Sequence, residues 1–261
     1  MRFVTTDVYR SNPDGTRTDS SLATDKLLAS GEFTGVRMEQ NPTQAGKSWM
    51  RESFAQWWPL CPRGMVLTIG EWTVRNHPTE LALEMVATAL TGARRERDLY
   101  VQIGNEPLSN IGDVDEEYVL RVAGIAAAIR QRWPGVQLIA PPLGTWTHTP
   151  PEAADEFTKN WHIRYLTAFA DFRSYFDYLG GNLYPWGEIP DLEGLVEGRK
   201  MLQASATLLG LTPFVCECPP ELLLPGTRKR LRGVSRTCEY ATRGGSRWNM
   251  LPALAKLEVV K

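Results

Sequence analysis

Carboxylates, amides and indoles recur in this chain at one kind of place, just after a short apolar, β-rich run. In chain order they are Asp7, Glu39 with Asn41, Glu71 with Trp72, Asn105 with Glu106, Trp146, Asn182 with Tyr184 and Trp186, and Glu217. The stretch "LYVQIGNEP" shows the type, since an apolar strand runs straight into an amide and a carboxylate that Pro107 follows at once. Gathered into one ring, such groups suit a sugar, whose hydroxyls need paired acceptors and donors and whose apolar faces stack on aromatic rings. Glutamates among them could also move a proton or attack an electrophilic carbon.

A ring of this kind needs a scaffold that brings strand ends together. Strands are expected at "RFVTTDVY" (2–9), "TGVRMEQ" (34–40), "GMVLTIGEW" (64–72), "DLYVQIG" (98–104), "VQLIAPP" (136–142), "FDYLGGNLY" (176–184) and "TPFVCEC" (212–218), each closed by polar or turn residues. Helical patterns lie between them near 20–30, 47–60, 79–94, 152–173 and 192–209. The clearest, "DEEYVLRVAGIAAAIRQRW", repeats Val119, Val122, Ile125, Ala126, Ile129 and Trp133 at helical spacing after an acidic start. Strands that alternate with helices make a parallel sheet. Their number and the chain length point to an α/β fold, a (β/α)8 TIM barrel formed as a single domain over 1–261. The eighth strand is the irregular part: the tail offers a helix at about 227–243 and a short strand at "SRWNML" (246–251), blurred by glycines and arginines. An open doubly wound sheet is the alternative, and the first strand lacks the GxGxxG that would favour a dinucleotide fold. In a barrel, groups at the C-terminal ends of strands do the chemistry, which accounts for a core strand that ends on a glutamate.

Composition narrows the partners. With 261 residues and 43% hydrophobic content the chain can bury a large core, and 29 basic against 30 acidic residues leave a net charge of −1. That balance exerts no overall pull toward nucleic acid, anionic membrane or acidic substrate. The opening "MRFVTTDVYR" has no apolar signal-type core and no run approaches a membrane span, so a cytoplasmic protein without a membrane partner is expected. Cys61, Cys216, Cys218 and Cys238 are too few and irregular for a disulfide scaffold. The Cys216-Glu217-Cys218 triplet reads as small buried strand residues rather than a metal site, and His148 and His162 have no ligand-spaced companions, so no metal is assigned. Arg228, Lys229, Arg230, Arg232, Arg236, Arg243 and Arg247 read as a solvated basic face rather than a nucleic-acid surface.

Three motifs together resemble a known superfamily. "GNEP" after the fourth strand, "NLYPW" after the sixth and "PFVCECP" at the seventh look like the clan A glycoside hydrolases, (β/α)8 enzymes that include many cellulases, mannanases and β-glycosidases. The similarity runs from the second strand to the seventh in matching order. It implies that Glu106 is the general acid/base, that Glu217 is the nucleophile with Tyr184 hydrogen-bonded to it, and that Asn105 contacts the sugar 2-hydroxyl. Arg37, in "GVRM", resembles an arginine that the clan keeps beneath the nucleophile. The chain departs from the pattern in three places. Asn182 stands where the clan usually has His two residues before the Tyr, Glu217 sits between cysteines and ahead of Pro219-Pro220, and Trp248 is the nearest match to the Trp that closes strand eight.

The implied reaction is retaining hydrolysis of a β-linked glycan or glycoside, without cofactor. One protonated carboxyl gives its proton to the leaving oxygen while an ionised one attacks the anomeric carbon from about 5 to 5.5 Å away. The neighbouring negative charge should raise the pKa of Glu106, while Arg37 and Tyr184 should hold Glu217 ionised. Asn182, Glu71, Trp72, Trp146, Trp186 and Trp248 complete the expected substrate-binding set, whose partner is an oligosaccharide, polysaccharide or simple glycoside. Each also has a plainer reading, the indoles as core or rim aromatics and Glu71 and Asn182 as local hydrogen-bonding groups. Two other functions stay open: a carbohydrate-binding or structural barrel without turnover, and an aldolase or phosphate-handling barrel. The latter lacks a strand-end Lys and a Gly-rich phosphate loop.

Overall fold

A computed structural model describes residues 2–6, 14, 16, 19–31, 33–40, 46–105, 107, 116–143, 165–182, 192–217 and 236–240. Among these residues eight strands run in chain order: β1 (Arg2–Thr6), β2 (Gly35–Gln40), β3 (Met65–Ile69), β4 (Leu99–Ile103), β5 (Gln137–Leu143), β6 (Tyr178–Asn182), β7 (Thr212–Glu217) and β8 (Arg236–Tyr240). Each pairs in parallel with its neighbours in sequence, and β8 returns to β1, so the sheet closes into a barrel. The helices α1 (Asp19–Ala29), α2 (Gly46–Trp57), α3 (Glu71–Asn76), α4 (Thr79–Leu90), α5 (Glu116–Arg132) and α6 (Leu192–Leu209) lie between the strands. Further helical backbone covers 165–170.

The apolar content is divided between two layers because strand side chains alternate. Val36 and Met38, Leu67 and Ile69, and Val101 and Ile103 face outward and join the large core beneath the helices. On α5, Val119, Val122, Ile125, Ala126 and Ile129 are buried in that core at the expected helical spacing. Phe3, Val66, Tyr100, Ile139, Tyr178, Phe214 and Cys216 make a separate cluster inside the barrel. Its rings meet at centroid distances of 5.6 Å for Phe3–Tyr100, 5.6 Å for Tyr178–Phe214 and 6.0 Å for Tyr100–Phe214. The interior is therefore a packed aromatic plug, which leaves the layer at the strand ends as the place where a barrel of this kind takes a ligand.

Two irregularities shape that layer. Along β5 the register with β6 shifts between Ala140 and Leu143, where Pro141 and Pro142 have no N–H to give the ladder. Along β7 one residue is extra: Gly181 pairs with Val215 but Asn182 pairs with Glu217, so Cys216 is bulged. Without the bulge, Glu217 would occupy the outward row of Val215. With it, the Glu217 backbone stands opposite Asn182.

Two expectations need correction. The eighth strand is Arg236–Tyr240 and not 246–251, and it lies within the stretch expected to be helical. Pairing decides this, because Arg2 to Thr5 of β1 align with Thr237 to Tyr240 on one side while Phe214 and Val215 align with Arg236 and Thr237 on the other. Glu71 and Trp72 are likewise not strand residues: Gly70 is extended, its carbonyl accepts the N–H groups of Thr73 and Val74, and a helix begins at Glu71.

Candidate active site

The middle of β2 contributes Arg37, which is fully buried although it carries a guanidinium that reaches Asn105 just past the end of β4. It lies in the inward row between outward Val36 and Met38. Its Nε donates to Gln102 Oε1 at 3.2 Å and its Nη2 to Asn105 Oδ1 at 3.4 Å. Gln102 is inward on β4, and its Nε2 donates both to Asn105 Oδ1 at 3.0 Å and to the Gly104 carbonyl at 2.9 Å. Thr68 of β3 adds a hydroxyl 3.5 Å from Gln102 Oε1. Arg37 and Gln102 both donate to Asn105 Oδ1, which fixes the amide orientation and turns the Nδ2 group away from Arg37.

A second set of bonds reaches the same peptide from the helix layer. Glu71 Oε1 accepts the backbone N–H of Asn105 at 2.6 Å and the Tyr118 hydroxyl at 2.8 Å. Gly104 lies between them at φ +83°, and its N–H donates to the Ile69 carbonyl at 2.7 Å. A Cβ there would stand 2.3 Å from the Tyr118 oxygen and 2.8 Å from Glu71 Oε1, so both conformation and space call for glycine. Burial raises the Tyr118 pKa well above the ordinary tyrosine value, and the Glu71 charge adds to it. Tyr165 is raised too, by burial and then by the charge of Glu71, and its hydroxyl donates to the Pro141 carbonyl at 2.6 Å. Both phenols stay protonated donors.

On the other side of the mouth, β6 ends on Asn182, which is fully buried. A Cβ on Gly181 would meet the Leu202 side chain of α6 at 2.8 Å, whereas one on Gly180 would lie 3.0 Å from Cys216 Sγ. Gly181 therefore faces the helices, and Gly180 and Asn182 face the interior. Glu217 ends β7 in register with Asn182.

The structure thus brings Asn105 and Asn182, with the last residue of β7, to the strand ends of one barrel, and the guanidinium of Arg37 reaches Asn105 from the middle of β2. Glu71 is buried and bonded to backbone, while Trp72 stands 54% exposed with its ring centroid 4.4 Å from that of His77. Glu106, Tyr184, Trp146, Trp186 and Trp248 lie outside the described residues, as do Asp7 and Asn41. β8 ends at Tyr240, eight positions before Trp248 in the sequence. Gln102, Gly104 and Tyr118 were not among the expected site residues. Gln102 had a signal, a long amide within the apolar run of β4, whereas Tyr118 looked like one more apolar position of α5. Among the described residues no group of three or more His, Cys, Asp or Glu could hold a metal ion, and no helix is long and apolar enough to cross a membrane.

No protein-family model matches the chain, and no curated protein does. Solved structures do. A GH26 β-mannanase from Bacteroides ovatus superposes with a TM-score of 0.56 at 12% identity, over 92% of this chain and 80% of that one. The likeness is to a (β/α)8 barrel. Endo-glycoceramidase II from a Rhodococcus species gives 0.53 at 14% identity, covering 95% of this barrel and 74% of that chain. A family 51 α-L-arabinofuranosidase from Bifidobacterium longum gives 0.52 at 13% identity and covers 83% of this barrel, which spans 55% of that longer protein. At these identities the likeness establishes the fold, and chemistry must be argued from the residues.

Proposed function

We propose that this barrel is a retaining glycosidase acting on a β-linked glycan or glycoside. The observation that carries the reading is the Arg37–Gln102–Asn105 network, which orients the amide immediately before Glu106 at the end of β4. In this reading Glu106 protonates the leaving oxygen, Glu217 attacks the anomeric carbon, and Tyr184 hydrogen-bonds Glu217. Asn105 offers its Nδ2 to a sugar hydroxyl, and Asn182 holds the place beside Glu217. A buried guanidinium at the mouth favours an ionised carboxylate there, the state a nucleophile needs. The register of β7 supports the assignment, since the bulge takes the Glu217 backbone out of the outward row. Trp72 serves as an exposed sugar platform at the rim, with Trp146, Trp186 and Trp248 as further candidates. Solved barrels of this shape support the substrate class, among them the β-mannanase and a GH128 endo-β-1,3-glucanase from Amycolatopsis mediterranei that superposes with a TM-score of 0.51 at 14% identity.

The test is a screen of aryl β-glycosides and β-linked polysaccharides against wild type and Glu217→Ala. Turnover by wild type that falls at least about 1000-fold in the variant supports the reading, given what covalent and acid–base catalysis contribute. Sugar binding without turnover in both proteins would place the chain among non-catalytic carbohydrate-binding barrels.

A further inference from the structure

Glu71 is only 6% exposed, and the oxygen that bonds Asn105 and Tyr118 belongs to the scaffold. The peptide between Gly104 and Asn105 is gripped from both ends. Its carbonyl accepts Gln102 Nε2 at 2.9 Å from inside the barrel, and its N–H is taken by Glu71 at 2.6 Å from the helix layer. Tyr118 of α5 braces the carboxylate at 2.8 Å, and the Arg75 guanidinium lies over the Tyr118 ring at 5.5 Å. Three elements, β4, α3 and α5, therefore converge on the last peptide before the residue that precedes Glu106.

We infer that Glu71 and Tyr118 are positioning residues, which fix the Gly104–Asn105 peptide and so set the direction in which the chain leaves for Glu106. The inference rests on the glycosidase reading and gives Glu71 a role other than sugar binding. A carboxylate suits the task because it accepts two hydrogen bonds at one oxygen and strengthens both by its charge. Glu71, Asn105 and Tyr118 are all buried, so losing one of them leaves its partner without a ready replacement and frees the peptide.

A misplaced acid costs most when the leaving group needs its proton, and this separates positioning from bulk destabilisation. Glu71→Ala, Glu71→Gln and Tyr118→Phe are assayed on a phenyl and a dinitrophenyl glycoside of the sugar found in the screen. Amide hydrogen exchange at Asn105 is followed in the same proteins. Glu71→Ala is expected to lower kcat on the phenyl substrate about 100-fold and on the dinitrophenyl substrate less than about 5-fold, with KM little changed. Glu71→Gln should recover most of the loss, because its carbonyl oxygen can accept the same two bonds. Exchange at Asn105 should accelerate in Glu71→Ala and in the more conservative Tyr118→Phe while amides of β3 stay protected. Equal losses on both substrates, or unchanged exchange at Asn105 in both variants, would overturn the inference. A wild type without glycosidase activity would remove the functional reading, and exchange at Asn105 would then decide the grip alone, acceleration supporting it and its absence refuting it.

Discussion

Burying Arg37 costs several kcal/mol in lost hydration, a cost that a barrel interior meets only where hydrogen bonds and charge make it useful. Gln102 and Asn105 accept from its guanidinium, and the positive charge then lies at the strand ends, where an anionic carboxylate or a developing negative charge benefits most. Tyr118 gives the corresponding lesson for an acid held neutral. Its folded-state pKa lies well above the ordinary value of 10.0, because burial and the Glu71 charge both disfavour the phenolate. A raised pKa means that the stabilisation is fully present below the unfolded value and is lost as pH rises above it. Unfolding free energy from urea titrations should therefore fall as pH climbs past about 10, and fall less steeply in Tyr118→Phe, with Tyr165 supplying part of what remains. An identical alkaline slope in the two proteins would show that Tyr118 does not carry it.

At the scale of elements, side chains do what the ladders cannot. The β5–β6 pair begins with Asp177, whose Oδ2 accepts the Leu138 N–H at 2.7 Å and forms an ion pair with Arg130 of α5. Arg130 also donates to the carbonyls of Tyr175 at 3.0 Å and Val136 at 2.7 Å, so one guanidinium ties α5 to the start of two strands. Asp177→Ala strips the Leu138 N–H and the Arg130 guanidinium of a partner together, and should cost about 1 to 3 kcal/mol. A shift of the urea midpoint without a change in slope is the expected signature. The register shift in β7 was not legible in the sequence for a related reason. "VCEC" reads as four alternating positions, and only pairing with Asn182 shows that Cys216 is an extra residue.

For the whole molecule, closure places most of the stabilising contacts between residues far apart in the chain. The inner cluster draws side chains from β1, β3, β4, β5, β6 and β7, with Phe214 touching Phe3, Tyr100 and Tyr178 at centroid distances of 6.0, 6.0 and 5.6 Å. Phe214→Ala empties the middle of that plug and should lower stability by about 3 to 5 kcal/mol, read from chemical denaturation. A loss below about 1 kcal/mol would mean that the interior collapses around the gap. The first seven strands were legible because each is an apolar run ended by turn residues, a local property. The eighth was not, since "RTCEY" is too polar to announce itself and becomes a strand by completing β7 and β1. The places of Arg37 on β2, of Asn105 just past β4 and of Asn182 at the end of β6 were legible from motif and position. The bonds from Gln102 and Tyr118 were not, because Tyr118 reaches Glu71 across 47 positions and no local pattern encodes that meeting.

The two-glutamate mechanism meets its most direct test in trapping the intermediate. A 2-deoxy-2-fluoro glycoside of the accepted sugar slows both formation and breakdown of the glycosyl-enzyme, and a good leaving group restores only the first, so the ester should accumulate. Peptide mass mapping should find one sugar on the peptide containing Glu217. The label should persist in a Cys216→Ser, Cys218→Ser double variant, which excludes thiol attack, and vanish in Glu217→Gln. A label on Glu39 or Glu71 in an active enzyme would contradict the account, because the strand ends would then be assigned out of register with the chemistry.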